Sequence, residues 1–231
     1  MAIRELEEIT LRLKAYGKGI LAADESQATI EKRFSGLQIE STVENRRAYR
    51  EILFTTPGLE SFISGVILHE ETLGQRNKEG VLFPELLTEQ GIIPGVKVDK
   101  GLIPLNAEEK ITEGFDGLAK RLEVYKHLGA CFAKWRAVFT LSDQLPSSLA
   151  QFANAQALAR YAAICQANDV VPIVEPELLI DGNHSLERCA EATIKTLNIV
   201  FEALAQHQVI TRCILLKPSM RESISSTTEH S

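Results

Sequence analysis

The feature that most constrains the fold is the alternation of short apolar runs with longer amphipathic segments. Six such runs begin near residues 19, 62, 92, 131, 171 and 212, at a spacing of roughly forty residues. Short apolar runs bounded by Gly, Pro or charged residues are typical of strands buried in a parallel sheet. The alternation predicts an α/β protein, and 231 residues with 45% hydrophobic content suffice for one large domain.

The segments between the runs carry helical signals. Residues 2–15 place apolar side chains on one face, and Ser41 to Glu44 match a capping box that predicts a helix starting near Thr42. An Ala-rich helix is predicted over about residues 148–167. Two more helices are predicted from apolar stripes, one with Phe115, Leu118, Leu122 and Tyr125, and one with Leu186, Cys189, Ile194, Leu197, Phe201 and Leu204.

Composition and charge argue against a nucleic-acid-binding, a membrane-spanning or a secreted protein. The net charge of −6 and the pI near 5.5 exclude a global basic footprint, so no nucleic-acid partner is expected. No apolar run approaches the ~18 residues of a membrane span, and no secretory signal is expected. The cysteines lie far apart in apolar segments and without CxxC spacing, which predicts reduced core residues and a cytoplasmic protein. They are Cys131, Cys165, Cys189 and Cys213.

One short strand is predicted to deliver a single lysine. Cys213 to Leu216 form an apolar run that ends in Lys217 and Pro218. A lysine at the end of a buried strand, in a partly dry pocket, can attack a carbonyl as a neutral amine. The alternative is a lysine that simply leaves the strand for water, since Lys is rarely buried unless it is paired.

Charged residues recur at the C-terminal end of the predicted strands. Residues i and i+2 of a strand share a side, so Lys134 would share one with Arg136, and Glu175 would share one with Glu177. Charges on the side away from the helices would face the mouth of a closed barrel, where (β/α)₈ enzymes hold their active sites. This placement favours a TIM barrel over an open doubly wound sheet. The recurring positions are Asp24, Lys97, Lys134, Glu175 and Lys217.

Each charged group also has a structural alternative. Asp24 could cap the following helix, the two glutamates could form a solvated strand end, and Lys134 and Arg136 could pair with those glutamates. His69 and His184 have no partner at metal-ligand spacing, so no metal is assigned, and loop or surface roles are expected for both.

With these residues identified, the sequence resembles the class I, Schiff-base fructose-bisphosphate aldolase family. The matching motifs occur in family order and cover about residues 15–220. They are Lys18–Ser26 (KGILAADES), Glu44–Arg47 (ENRR), Lys97–Gly101 (KVDKG), Phe132–Arg136 (FAKWR), Ile173–Glu177 (IVEPE) and Leu215–Pro218 (LLKP).

The resemblance implies reversible cleavage of fructose 1,6-bisphosphate to dihydroxyacetone phosphate and glyceraldehyde 3-phosphate, a lyase reaction of glycolysis. It implies a covalent Schiff base through Lys217, with no metal and no other cofactor. Glu175 matches the general acid/base, Asp24 an aspartate that assists carbon–carbon cleavage, and Glu177 a supporting carboxylate. Lys134 matches a cation that stabilises developing negative charge. Lys97, Arg136, Lys32 and Arg33 match positions around the phosphates and hydroxyls of the sugar.

The motif match ends after Met220, where the family pattern continues with two more strand–helix units of the eight-unit barrel. We therefore expect a partial aldolase-type barrel over residues 1–220 and a polar, disordered tail over 221–231. A sheet of six strands would expose its two edges, which favours association. The resemblance also implies a homo-oligomer. Two alternatives remain: a catalytically inactive aldolase fragment that acts through association, and another Schiff-base enzyme on the same barrel, resembling transaldolase.

Overall fold

In the computed structural model, residues 3–179 and 184–219 are described. The helices are α1 Ile3–Leu13, α2 Gln27–Ser35, α3 Val43–Phe54, α4 Glu70–Leu73, α5 Phe83–Glu89, α6 Leu118–His127, α7 Ser148–Ala167 and α8 Leu186–Gln206. The strands are β1 Gly19–Ala23, β2 Ile63–Leu68, β3 Ile93–Lys97, β4 Gly101–Pro104, β5 Lys110–Glu113, β6 Phe132–Phe139, β7 Val171–Leu178 and β8 Leu215–Leu216.

Six of these strands form one sheet in the order β1-β2-β3-β6-β7-β8, and β4 and β5 pair as a separate antiparallel hairpin. In the larger sheet, β1 pairs with β2, β2 with β3, β3 with β6 and β7 with β8 in parallel. Its strand order follows the chain without reversal, as in a (β/α)₈ barrel, whereas a doubly wound sheet reverses at a switch point. The fold is therefore of the TIM-barrel type, with six strand–helix units of the eight, as the charge placement predicted.

The chain divides into two compact units. Unit 1 comprises residues 1–98, 117–134 and 165–172, and unit 2 comprises residues 99–116, 135–164 and 173–231. Strands β6 and β7 contribute their first residues to unit 1 and their remaining residues to unit 2.

Unit 1 packs its strands tightly against one another and against α1. A Cβ atom built on Gly95 of β3 would lie 2.3 Å from the ring of Phe132 on β6, whose side chain is fully buried. A Cβ atom on Gly65 of β2 would lie 2.5 Å from Leu13 of α1. Glycine is required at both places because the neighbouring apolar side chains occupy the space of any larger residue.

Unit 2 is organised around Trp135, which is fully buried. Its ring lies between Phe115 and Tyr161, with centroid distances of 4.5 and 5.4 Å. Because Trp135 stands between Lys134 and Arg136 on β6, its burial agrees with the prediction that those two charges share the opposite side of the strand.

Several predicted boundaries were wrong or incomplete. Phe115 lies outside α6, because the helix begins only at Leu118 after Gly117 in a left-handed conformation (φ 64°). The strand predicted over Cys213–Leu216 has only two residues, since Thr211–Cys213 form a 3₁₀ turn. The sequence reading also missed α2 and the β4–β5 hairpin. The capped helix after Thr42 is confirmed, since Asn45 N donates to Thr42 Oγ1 at 3.1 Å.

The predicted loop at Asp181–Asn183 and the predicted tail from Arg221 to Ser231 lie outside the described residues. Within the described ranges, no helix combines the length and apolar character that crossing a membrane requires.

Candidate active site

In unit 1, Asp24 and Lys134 form a buried ion pair. Asp24 follows the last residue of β1, and Lys134 is the third residue of β6. Lys134 Nζ lies 2.6 Å from Asp24 Oδ2, and the two side chains are 6% and 8% exposed. Burial removes both charges from water, so each depends on the other for compensation. The pair can hold a fixed positive and a fixed negative charge next to a bound polar molecule.

The helix-cap alternative for Asp24 does not hold. Helix α2 begins at Gln27, and its N-cap is Ser26, whose side chain accepts a hydrogen bond from Thr29 N at 3.3 Å. The serine two residues further along takes the capping role, so Asp24 remains available to Lys134.

Lys97 lies beside this pair. It is the last residue of β3 and is in register with Lys134 of β6. Burial, followed by the positive charge of Lys97, lowers the pKa of His69 at the end of β2. His69 Nδ1 also accepts a hydrogen bond from Glu71 N at 3.2 Å, as the N-cap of α4. His69 therefore has a structural role at this end of the sheet, as a neutral ring that begins a helix.

The carboxylate of Glu25 forms ion pairs with two arginines. One carboxylate oxygen accepts from Arg33 on α2 and the other from Arg50 on α3. Arg50 also donates to the backbone oxygen of Glu25 at 3.1 Å and is almost fully buried. The side chain of Arg33 is 56% exposed, and the charge of Glu25 raises the pKa of its guanidinium. Arg33 is thus oriented by Glu25 but still open to an anionic ligand.

Helix α2 carries the other predicted phosphate position. Lys32 precedes Arg33 and is exposed in the last turn of the helix. Arg33 also lines an apolar pocket of about 390 Å³, together with Phe34 and Tyr49. The two cations therefore lie on an exposed surface, unlike the buried Lys134.

In unit 2, Lys217 pairs with Glu175. Lys217 follows the last residue of β8, and Glu175 lies on the adjacent strand β7. Lys217 Nζ donates to Glu175 Oε1; the lysine side chain is 46% exposed, whereas the glutamate is 5% exposed. The alternative of a lysine that simply leaves the strand for water is therefore only partly correct. The side chain of Lys217 is accessible to water, but it is also paired with Glu175.

A second pair in unit 2 joins Arg136 on β6 and Glu177 on β7. The two side chains are 38% and 31% exposed. Burial opposes the charge of the guanidinium, but the hydrogen bond to Glu177 and the negative charges of Glu177, Glu175 and Asp99 together outweigh it, so the pKa of Arg136 is raised. Asp99 Oδ2 accepts from Arg136 N at 3.4 Å. The structural alternative of an ion pair is thus correct for Arg136 and Glu177.

The structure thus brings the predicted residues together in three pairs, one in unit 1 and two in unit 2. Lys97 joins the pair of unit 1 through strand register, whereas Lys32 and Arg33 lie apart from it on α2. Across residues 3–179 and 184–219, no group of three or more His, Cys, Asp and Glu side chains comes together as a metal site. His69 and His184 lie outside the helices and strands, as expected, but neither is a plain surface residue, because His184 is buried and His69 caps a helix.

The sequence reading assigned no role to Glu25 or Arg50. A carboxylate partner for Arg50 could have been predicted, because Arg50 lies within an amphipathic helix and a buried arginine requires such a partner. Its partner stands 25 residues earlier in the chain. No local spacing rule connects positions that far apart.

A model of the class-I fructose-bisphosphate aldolase family matches residues 5–230, and this match extends past Met220. The chain is 53% identical over 222 residues to a probable fructose-bisphosphate aldolase class 1 of Xanthomonas campestris. It is 53% identical over 220 residues to fructose-bisphosphate aldolase of Plasmodium falciparum. These alignments cover 95% and 94% of this chain, but 66% and 61% of the relatives.

A solved structure of the P. falciparum aldolase, in a ternary complex with TRAP and a small-molecule inhibitor, aligns with a TM-score of 0.94. The alignment has 51% sequence identity and covers 99% of this chain and 67% of that chain. The chain thus spans about two thirds or less of the length of the curated relatives named here. On the family match over nearly its whole length, the chain belongs to the class-I fructose-bisphosphate aldolase family.

Proposed function

We propose that this chain carries the Schiff-base chemistry of a fructose-bisphosphate aldolase. The reaction is the reversible cleavage of fructose 1,6-bisphosphate to dihydroxyacetone phosphate and glyceraldehyde 3-phosphate. The observation that supports it best is Lys217, an accessible amine at a strand end, paired with the buried carboxylate of Glu175. A nucleophile within reach of a group that moves protons is the arrangement that covalent catalysis requires.

In the proposed reaction, the Lys217 amine adds to the C2 ketone of the sugar, and loss of water forms an iminium. The electrons of the C3–C4 bond move into the iminium while the C4 hydroxyl loses its proton, so glyceraldehyde 3-phosphate leaves. The remaining enamine takes a proton at C3. Water then hydrolyses the iminium, which releases dihydroxyacetone phosphate and the free amine.

Glu175 is proposed as the general acid/base that gives a proton to the departing water and accepts the proton of the C4 hydroxyl. Its low exposure supports this role, because a carboxylate shielded from water exchanges protons with a bound molecule instead of with solvent. Glu177 is proposed as a supporting carboxylate, and its pairing with Arg136 provides it with a fixed orientation.

The residues of unit 1 are proposed to orient and stabilise the substrate. Asp24 would assist carbon–carbon cleavage, and Lys134 would stabilise developing negative charge, in line with their buried pair. The proposed cations around the phosphates and hydroxyls are Lys97, Arg136, Lys32 and Arg33.

The proposed partner is a phosphorylated sugar, and no metal or cofactor beyond the covalent intermediate is proposed. Free thiols at all four cysteines support a reducing, cytoplasmic compartment as a further proposal.

Borohydride trapping tests the function directly. The chain is incubated with dihydroxyacetone phosphate and borohydride, and the adduct is located by peptide mass. We expect one adduct on Lys217, since reduction makes the iminium permanent. Lys217→Ala should abolish it, and Lys120→Ala provides a matched control at an exposed lysine of α6. An adduct that persists in Lys217→Ala would overturn the assignment, whereas loss in Lys120→Ala would point to a general effect of the substitution.

A second candidate is binding without catalysis. Among the described strands, β1 pairs only with β2, and β8 pairs only with β7, so both have an edge available for association. A steady-state cleavage assay with fructose 1,6-bisphosphate separates the two candidates. Turnover supports the enzyme, whereas soluble, folded protein that neither cleaves nor traps the sugar supports association alone.

A further inference from the structure

The strand that delivers Lys217 is short. β8 comprises only Leu215 and Leu216, which pair with Ile173 and Val174 of β7. Lys217 lies just beyond this pairing, and its N–H donates to Val174 O at 2.9 Å. One ladder hydrogen bond therefore fixes the lysine on its N-terminal side.

The ladder is not continued in the regular way beyond Lys217. N–H groups two residues apart on a strand point to the same neighbour. Leu178 N–H points towards the β8 side, so residue 176 would do the same, but residue 176 is a proline and has no N–H to donate. The carbonyl of Lys217 therefore receives no hydrogen bond from that position of β7.

The next connection is made by a side chain. Leu178 N donates to Ser219 Oγ at 2.7 Å, and Leu178 is 2% exposed. A hydroxyl thus accepts the hydrogen bond that a backbone carbonyl would accept in a longer strand. Together with the bond to Val174 O, it holds the chain on both sides of Lys217.

We infer that Ser219 is a positioning residue for Lys217, holding the backbone so that the amine points towards Glu175. This inference rests on the proposed function, because it concerns the placement of the Schiff-base lysine. Pro218 stiffens the intervening residue, since its ring fixes φ, so an anchor at Ser219 is transmitted to Lys217 with little slack. Without the anchor, the exposed lysine would sample other orientations at the end of a two-residue strand.

The test compares trapping rates. Ser219→Ala removes the acceptor and should lower the rate of borohydride trapping at saturating dihydroxyacetone phosphate by about tenfold or more. The half-saturating concentration should change little, because Ser219 is not proposed to touch the sugar. Ser219→Thr keeps an oxygen at the same position and should restore the rate to within about twofold of the parent chain.

Ser185→Ala is the matched control. Ser185 Oγ accepts a hydrogen bond from a backbone N–H at 3.2 Å, at the start of α8 in the same unit, but not on the strand of the lysine. It loses the same kind of bond, so its trapping rate should stay within about twofold of the parent. Parental trapping in Ser219→Ala, or equal slowing in Ser185→Ala, would overturn the inference.

A second readout separates this inference from the proposed function. Reductive methylation with formaldehyde and cyanoborohydride reports how accessible each lysine is, without any sugar. Ser219→Ala should raise labelling of Lys217 at least twofold over the parent, while Lys120 labelling stays constant. If the parent traps no sugar, the proposed function fails, and the inference is then decided by this labelling: unchanged labelling of Lys217 overturns it.

Discussion

The lysine–carboxylate pair of unit 1 and that of unit 2 differ in how far the lysine is removed from water. Lys134 is 6% exposed beside Asp24, whereas Lys217 is 46% exposed beside Glu175. Both carboxylates are buried, and all four residues lie in or directly after strands of the parallel sheet. A lysine sealed against its partner suits a fixed charge, whereas one open to solvent suits covalent attack. The two pairs are thus suited to different chemistry through the exposure of the lysine.

The largest expected effect is on the free energy of unfolding, and it tests whether the buried Asp24–Lys134 pair stabilises the fold. Lys134→Met leaves Asp24 buried without its cation, and should lower the free energy of unfolding by about 3–5 kcal/mol. Lys217→Met should cost less, roughly 1–3 kcal/mol, because water screens the half-exposed lysine even though Glu175 stays buried. Urea unfolding followed by the fluorescence of Trp135, the single tryptophan, measures both.

Lys120→Met is the control for that comparison, since it makes the same substitution at an exposed position of α6. Its free energy of unfolding should stay close to that of the parent. Equal destabilisation by Lys134→Met and Lys217→Met would show that exposure does not distinguish the two pairs.

A smaller effect is expected in double-mutant cycles, which measure the coupling energy within each of the two lysine–carboxylate pairs. Asp24→Asn combined with Lys134→Met should show a coupling energy of about 2 kcal/mol, because the second substitution removes the charge that the first left unpaired. Glu175→Gln combined with Lys217→Met should show less than about 1 kcal/mol. Unfolding measurements on the four single and two double variants provide both values. A larger coupling in the Glu175–Lys217 pair would reverse the comparison.

The smallest expected effect is on the pH dependence of unfolding and concerns His69 of unit 1. Burial and Lys97 lower the pKa of His69 in the folded chain. The unfolded chain therefore takes up the proton first, from about pH 6.5 downward, and stability should decline as pH falls below that value. His69→Asn keeps a capping side chain but cannot titrate, so the free energy of unfolding should depend less on pH between 5 and 6.5.

His127→Asn is the comparison variant for this titration, since His127 is exposed at the end of α6. It should leave the pH dependence of unfolding as it is in the parent chain. The same flattening in both variants, or none in His69→Asn, would contradict the assignment to His69.

Much of the site could be predicted from sequence because strands impose simple rules. Lys97 and Lys217 were placed at strand ends from short apolar runs, and these placements are confirmed, whereas the same placement was wrong for Lys134 and Glu175, which lie inside β6 and β7. The rule that residues i and i+2 share a side correctly placed Trp135 in the core. The roles of these residues in catalysis stay predictions.

Other features depend on contacts between distant parts of the chain. The bridge from Glu25 to Arg33 and Arg50 joins a strand end to two helices, and no spacing rule predicts it. The two-residue length of β8 was missed as well, because Cys213 and Ile214 are as apolar as the residues that do pair. Local pattern does not report which apolar residues find a neighbouring strand.

By itself the sequence determined the parallel α/β architecture, the order of the strands and the family, because apolar periodicity and motif order are properties of the chain. Only the tertiary structure decided which lysine is sealed and which is open. Exposure depends on the packing around a side chain and not on the residue itself. For the same reason the pairing of Leu178 with Ser219 emerged only from the fold, where a hydroxyl accepts the N–H of a strand beside a proline-interrupted ladder.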